Sequence, residues 1–241
     1  MPLLALTGVS KSYGALKVTN DISLAVEPGE MLGILGPNGA GKTTLFNLIS
    51  GDVRADVGQV VYDGRDVTRL APHQRCRGGI GRSYQVPQPF GGLTVFENLV
   101  TAACFGGGQP EHEAWRTARE VLEQTGLAPH ANRLAGGLRL LDRKRLELAR
   151  ALATRPRLLL LDEIAGGLTD HEARELVAEL RRIKSQGVTM IWIEHVVHAL
   201  LALADRLFVI NFGRPLAQGE PRAVMADAEV RRVYMGMEAV A

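Results

Sequence analysis

One stretch of the chain satisfies the phosphate-binding pattern G-x-x-x-x-G-K-[S/T] in full, reading Gly36-Pro37-Asn38-Gly39-Ala40-Gly41-Lys42-Thr43. Glycines let successive backbone N–H groups turn toward phosphate oxygens, and a helix beginning there adds partial positive charge. We expect Lys42 to reach the β- and γ-phosphates of a nucleotide and Thr43 to bind Mg²⁺ through its hydroxyl. The alternative is a glycine-rich turn with an incidental lysine, which the preceding strand and following helix disfavour. The expected nucleotide-binding residues of this loop are Gly36, Asn38, Gly39, Ala40, Gly41, Lys42, Thr43 and Thr44.

A second stretch with chemical potential is the apolar run at residues 157–163, which ends in Asp162 and Glu163. Such a run is typical of a parallel strand buried on both faces, and ligands of α/β sheets bind at the carboxyl ends of strands. We expect Asp162 to hold the Mg²⁺ shell and Glu163 to orient or deprotonate an attacking water. Two acids could instead simply begin a surface turn, but the phosphate loop makes that alternative weaker.

The elements that would position these residues alternate between strand and helix patterns. A helix is predicted from Lys42 to a stop at Gly51, and a capping box from Thr169 to Glu172 opens another that ends at Gly187. The pattern is helical from about 92 to 155, and FGRPLAQGEP predicts a terminal hairpin edge followed by short helices. Alternation of this kind predicts an α/β fold with a mainly parallel sheet. The predicted strands are LLALTGV, DISLAVE, EMLGILG, GQVVYDG, RLLLLDE, VTMIWI and DRLFVIN, with a short helix at VVHALLALA.

Bulk composition restricts the classes of protein. Lysine and arginine total 28 against 26 acids, a formal charge of +2 that gives no electrostatic argument for nucleic acid. The two cysteines, Cys76 and Cys104, argue against a disulfide framework or zinc ribbon. No secretory leader is apparent, and charges within the apolar region 188–210 disfavour a membrane span. These features predict a soluble cytoplasmic protein.

With both motifs in place, the chain resembles the ATP-binding subunits of ABC transporters from about residue 4 to 220. Within that family it is most similar to the subunits of branched-chain amino acid importers, in the stretches GPNGAGKTTLFNLISG, PFGGLTVFENL, RKRLELARAL and IWIEH. The resemblance implies a P-loop NTPase (RecA-like) core with an N-terminal antiparallel β subdomain and an inserted α-helical subdomain. It implies one ABC domain over 1–241, with the core at about 1–91 and 156–220, the helical subdomain at about 92–155 and a tail at 221–241.

The resemblance also implies roles for three residues outside the two motifs. Tyr13 would stack on adenine, Gln85 would reach Mg²⁺ and the attacking water, and His195 would contact the γ-phosphate. Tyr13 could instead be a surface residue near a turn. His195 and His198 stand three apart and could ligate a metal, but their order does not match a zincin helix and no third ligand is evident.

The family's signature sequence, Leu-Ser-Gly-Gly-Gln, binds a partner subunit's ATP, and a tempting candidate here is the LAGGL string at 134–138. Counting back from Ala149-Arg150-Ala151-Leu152 at the family's spacing instead puts the signature at Leu138-Arg139-Leu140-Leu141-Asp142. The LAGGL string lies four residues too early, so we interpret it as a decoy.

The segment in register departs strongly from the family. Arg139 replaces the serine, Leu140 and Leu141 replace both glycines, and Asp142 replaces the glutamine. Leucines block close backbone approach to phosphate and a carboxylate repels it, although Arg139 could supply compensating charge. We expect the chain to bind ATP well with its own loop and to present a weak signature to a partner's ATP.

Two other departures concern proline. Ile164 follows Glu163 where the family usually has proline, which relaxes a backbone restraint and leaves the carboxylate in place. The stretch 167–170, Gly-Leu-Thr-Asp, fits the family's loop across the dimer interface but again lacks its final proline.

The resemblance implies an ATP- and Mg²⁺-dependent ATPase that drives membrane permease subunits from the cytoplasmic face of the inner membrane. It would dimerise with a second ATP-binding subunit, which the weak signature suggests is a different chain, and would act indirectly with a solute-binding protein. The expected permease contact is the apolar segment Gln85 to Leu99. The alternatives are an importer ATPase for urea or another solute, a soluble ABC-type ATPase acting on nucleic acid or the ribosome, and a nucleotide kinase. No nucleic acid is expected as a partner.

Overall fold

The computed structural model describes residues 1–235, which form two compact units. The first unit comprises residues 1–72 and the chain from 191 onward, and the second comprises residues 73–190. Of the predicted tail at 221–241, the described part forms helices α8 (Pro221–Ala226) and α9 (Ala228–Met235), and the remaining residues, 236–241, lie outside the described residues. Within the described part of the chain, no helix is both long and apolar enough to cross a membrane.

An antiparallel sheet at the N-terminus of the first unit matches the predicted β subdomain. It consists of β1 (Leu4–Tyr13), β2 (Leu16–Val26), β4 (Val57–Tyr62) and β5 (Arg65–Asp66), in the order β2-β1-β4-β5. The first two strands are longer than predicted and meet in a hairpin at residues 14–15. The tips of both strands are mostly polar and exposed, so no hydrophobic alternation marks them in the sequence.

The other strands of the first unit lie in the order β10-β9-β3-β8, with β3 (Met31–Leu35), β8 (Thr189–Ile193), β9 (Arg206–Asn211) and β10 (Arg214–Gly219). Strands β3 and β9 are parallel, and β9 and β10 form the predicted terminal hairpin. Helix α1 (Lys42–Ser50) follows β3 and ends at Gly51, as predicted. The large side chains Trp192, Phe46 and Phe208 are fully buried in this unit's core.

The helix predicted at VVHALLALA is shorter than expected. It forms only α7 (Val197–Leu201). After a turn, Asp205 bonds Met31 twice: its N–H donates to the Met31 carbonyl and its carboxylate accepts from the Met31 N–H, each at 2.9 Å. These bonds hold Asp205 against the start of β3, immediately before the chain enters β9.

The second unit pairs two parallel strands and surrounds them with helices. Strand β6 (Ile80–Ser83) runs parallel to β7 (Leu158–Asp162), and β7 is buried throughout. Strand β6 is short and contains glycine and arginine, so its sequence has no apolar run to predict it. The helices are α2 (Pro72–Arg77), α3 (Val95–Thr101), a π-helix (Ala102–Gly106), α4 (Glu111–Gln124), 3₁₀ turns at Ala128–His130 and Ala135–Gly137, α5 (Leu140–Ala153) and α6 (Asp170–Ser185).

Helices α3, α4 and α5 fall within the stretch predicted to be helical, 92–155, and α6 begins at the predicted capping box. In that box the Thr169 hydroxyl accepts from the Glu172 N–H while the Glu172 carboxylate accepts from the Thr169 N–H at 2.8 Å. The same arrangement at Thr94 and Glu97 begins α3. The boundaries proposed for a helical subdomain stay a prediction.

Candidate functional site

The phosphate loop joins the buried strand β3 to helix α1, the context that its pattern requires. Gly39 and Gly41 have positive φ, and Gly41 is the residue immediately before α1. Lys42 is only 5% exposed, and its ammonium donates to the carbonyls of Gly36 at 2.7 Å and Pro37 at 2.9 Å. The ammonium therefore lies inside the loop's curve, where it would meet phosphate oxygens. Thr43 is exposed at the start of the helix.

Two backbone segments of the first unit fix the shape of this loop. The Val18 carbonyl lies where a Cβ on either Gly41 or Gly213 would clash with it, so neither position accepts a side chain. The Gly213 N–H donates to the Ala40 carbonyl at 3.0 Å, and the Asn20 N–H donates to the Gly213 carbonyl at 2.7 Å. The β9–β10 turn and strand β2 thus hold the loop through backbone bonds that leave little room for movement.

Tyr13 and His195 belong to the same unit as the loop. Tyr13 ends strand β1 with 50% of its surface exposed, and the Lys11 ammonium lies 5.6 Å from its ring centroid. His195 is exposed just after β8, and its backbone N–H donates to the Glu194 carboxylate at 2.8 Å. Both side chains are accessible to a ligand. Among the described residues, no group of three His, Cys, Asp or Glu side chains is placed to hold a metal ion.

In the second unit, the acid pair lies at the carboxyl end of β7, beside the end of β6. The Asp162 carboxylate accepts from the Arg82 guanidinium at 2.9 Å, and the Glu163 carboxylate accepts from the Gln85 amide nitrogen at 2.5 Å. Ser83 pairs with Leu161, so the carboxyl ends of the two parallel strands lie side by side. The structure brings Gln85 and Glu163 together, and it adds Arg82, which the sequence did not predict.

Glu163 has an unusual backbone conformation, with φ of +48°. Two groups hold its carbonyl: the Gly166 N–H at 3.2 Å and the Lys144 ammonium at 3.3 Å. Lys144 is itself 6% exposed. Non-glycine residues adopt positive φ at some cost, and strained backbone of this kind is found in turns and at functional sites. Ile164, which stands in place of the family's proline, is buried at 2% exposure.

The LAGGL string uses its backbone amides within the protein. The Gly136 N–H donates to the Gly91 carbonyl and the Gly137 N–H to the Leu134 carbonyl, each at 3.1 Å. These amides are therefore turned toward protein oxygens instead of toward a ligand. This geometry supports the interpretation of the string as a decoy, which stays a prediction.

The segment interpreted as the degenerate signature spans the start of helix α5. Arg139 precedes the helix without a side-chain cap, and Leu140 is 50% exposed where the family has glycine. Arg143 donates to the carbonyls of Leu138 and Gly136, each at 2.9 Å. The Asp142 carboxylate lies 3.7 Å from His130. Leu141 follows at an intermediate exposure. The segment presents an aliphatic side chain and one guanidinium at the helix start.

The segment Gln85 to Leu99 exposes apolar side chains, notably Val86 at 64% and Phe90 at 49%. Arg150 supports it by donating to the Gln88 carbonyl at 2.9 Å and by lying 5.2 Å from the Phe90 ring centroid. Arg150 also pairs with Glu147 at 2.9 Å. Burial raises the pKa of the Glu147 carboxyl, and the charge of Arg150 acts in the opposite direction.

Comparisons with known proteins agree with this arrangement. A family model described as "ABC transporter" matches residues 19–166. LivG of Salmonella typhimurium, a high-affinity branched-chain amino acid transport ATP-binding protein, is 37% identical and covers 98% of each chain. LptB of Haemophilus influenzae, a lipopolysaccharide export system ATP-binding protein, is 35% identical, also over 98% of each. A solved ATP-binding cassette of an ABC transporter in its ADP conformation has a TM-score of 0.87 at 30% identity, covering 98% of this chain and 100% of that one. The predicted P-loop fold class is confirmed.

Proposed function

Because this chain belongs to the ABC transporter family, we propose that it is the ATP-hydrolysing subunit of an importer for branched-chain or related amino acids. Its activity as a nucleotide-binding ATPase coupled to transport follows from that membership. One observation carries the choice of substrate class: LivG is 37% identical over 98% of both chains, against 35% for LptB over the same share. The similarity therefore includes the regions outside the nucleotide motifs.

The phosphate loop binds the nucleotide's phosphates through its amides and Lys42, while Tyr13 stacks on the adenine. Thr43, Asp162 and Gln85 offer a hydroxyl, a carboxylate and a carboxamide oxygen. Hard oxygen donors with a single carboxylate suit Mg²⁺, which usually completes its shell with water and substrate phosphates. Bound Mg²⁺ would neutralise charge that develops on the phosphates. Glu163 orients the attacking water, with Gln85 and His195 as further contacts to the water and the γ-phosphate.

The chain acts as a peripheral subunit on the cytoplasmic face of the inner membrane, in contact with permease subunits. Val86 and Phe90, two exposed apolar side chains on one short segment, supply the apolar surface for that contact. A different ATP-binding subunit completes the dimer, because Leu140 and Leu141 keep the backbone of this chain's signature segment away from a partner's ATP. A solute-binding protein delivers the substrate to the permease.

Export is the second candidate function, and the similarity to LptB is the observation that favours it. Both candidates share the ATPase chemistry and differ in what the permease moves. A cell assay separates them, since import predicts loss of amino-acid uptake when the chain is deleted and export predicts intact uptake with an altered cell envelope.

The test is uptake of radiolabelled leucine and related amino acids by cells that lack the chain and receive it back on a plasmid. Wild-type protein should restore uptake. Glu163→Gln should bind ATP but fail to restore uptake, and Lys42→Ala should lose both functions. Uptake that is normal without the chain would refute the importer assignment. A purified chain that bound no ATP would contradict the assignment of the phosphate loop.

A further inference from the structure

A buried cation lies against the acid expected to hold the Mg²⁺ shell. The Arg82 guanidinium bonds the Asp162 carboxylate at 2.9 Å, and the two side chains are only 6% and 4% exposed. Their positions in the chain are far apart, and strand pairing between β6 and β7 brings them together. A planar guanidinium restricts the orientation of a carboxylate more than a lysine ammonium does.

Arg82 also contacts the residue directly before the segment expected to meet the permease. Its guanidinium carbon lies 4.7 Å from the centroid of the Tyr84 ring, a distance typical of a cation–π contact. Tyr84 is 46% exposed and directly precedes Gln85, which bonds Glu163. Arg82 therefore contacts both the buried Asp162 carboxylate and the half-exposed Tyr84 ring.

We propose that Arg82 is a positioning residue for ATP hydrolysis: it orients the Asp162 carboxylate toward Mg²⁺, and the Tyr84 ring fixes Arg82. This inference rests on the proposed function, because it takes Asp162 to hold the Mg²⁺ shell. Mutation of residues that support the ligands of a metal in this way typically lowers metal affinity or activity about 10- to 100-fold.

The distinctive consequence is that Arg82 affects nucleotide binding only when Mg²⁺ is present. Arg82 lies in the second unit and the phosphate loop in the first. In the absence of metal we expect ATP to bind through the phosphate loop without help from Arg82. An ion pair that served only to stabilise the fold would lower ATP binding with and without metal alike, or change neither.

The experiment measures ATP affinity of the purified full chain by calorimetry in EDTA and in Mg²⁺, and the Mg²⁺ dependence of kcat and KM. Arg82→Met removes the charge at similar length, and Arg82→Lys retains a charge. Tyr84→Leu removes the ring, and Tyr84→Phe is the matched control that keeps it. Thermal unfolding of each variant identifies loss of folding. Arg82→Met leaves the buried Asp162 carboxylate without this ion pair, whereas a substitution at half-exposed Tyr84 keeps the pair.

For Arg82→Met we expect the Mg²⁺ requirement to rise about 10- to 100-fold and kcat to fall similarly, with ATP affinity in EDTA unchanged. Arg82→Lys should restore part of the loss, Tyr84→Leu should raise the requirement less than Arg82→Met, and Tyr84→Phe should match wild type. A wild-type Mg²⁺ response in Arg82→Met, or in Tyr84→Leu if the arginine variant fails to fold, would overturn the inference. If the wild-type chain bound no ATP either in EDTA or in Mg²⁺, the proposed function would fail instead.

Discussion

Gly213→Ala should weaken ATP binding although residue 213 is not expected to touch the nucleotide. Gly213 has φ of +73°, its N–H bonds the Ala40 carbonyl in the phosphate loop, and an added Cβ would clash with the Val18 carbonyl. Gly29 is the matched control, because it has φ of +78° in the same unit and an added Cβ there would meet nothing within 4 Å.

The two substitutions share the cost of alanine in the left-handed region, about 1 to 2 kcal/mol. Gly213→Ala also forces two backbone segments apart, and overpacking of this kind costs about 1 to 3 kcal/mol. We therefore expect Gly213→Ala to lower the free energy of unfolding of the first unit by about 1 to 3 kcal/mol more than Gly29→Ala does. If about 1.4 kcal/mol of this cost reduces the free energy of ATP binding by the phosphate loop, ATP affinity falls about tenfold.

Urea unfolding of the first unit can be followed by tryptophan fluorescence. The chain has two tryptophans, and Trp192 is fully buried in the first unit, while Trp115 lies in the second at 46% exposure. A Trp115→Phe background leaves Trp192 as the only reporter. Calorimetry on the same proteins gives the ATP affinity. Equal stability and equal ATP affinity for the Gly213→Ala and Gly29→Ala proteins would refute the coupling of the β9–β10 turn to the loop.

Other perturbations test separate features of the molecule. Gly137→Ala meets only a distant Arg133 atom at 3.9 Å, so ATPase activity should stay near wild type; a loss comparable to that of Glu163→Gln would disprove the decoy interpretation. Hydrogen bonds from the Thr68 side chain and backbone lower the pKa of Asp66 from 3.8 to about 2. Its stabilising effect is thus present above pH 3.8 and lost toward pH 2, and Asp66→Asn should flatten the acid limb of the unfolding free energy measured in urea. Thr169→Ala removes the capping box of α6 and should cost about 1 kcal/mol in the same assay, without changing ATP affinity; no change in stability would contradict the cap's role.

Local sequence patterns predicted the features that depend on neighbouring residues. The phosphate loop, the buried run before Asp162 and the capping box at Thr169 can each be recognised from about ten consecutive residues. Their patterns depend on neighbouring residues only. The fold class followed from the order of these elements and from the family resemblance.

Features that depend on distant parts of the chain could not be predicted. Arg82 and Asp162 are 80 positions apart, and no periodicity records that they meet. Strand β6, which brings them together, lacks an apolar run, and the polar tips of β1 and β2 hide the hairpin after Tyr13. The role of Gly213 in holding the phosphate loop depends likewise on a contact with Val18, which lies in β2 near the opposite end of the sequence.

The left-handed backbone at Glu163 bears on how such sequences evolve. A glutamate at positive φ is less stable there than glycine, which adopts that region without steric conflict, by about 1 kcal/mol or more. If Glu163 serves hydrolysis as proposed, selection for turnover would keep the carboxylate in spite of this, as in other trade-offs between stability and activity. A lineage that no longer needs hydrolysis gains stability by drifting to glycine. Glycine directly after the aspartate of the buried strand would then identify, from sequence alone, a retired cassette that still folds and still binds ATP.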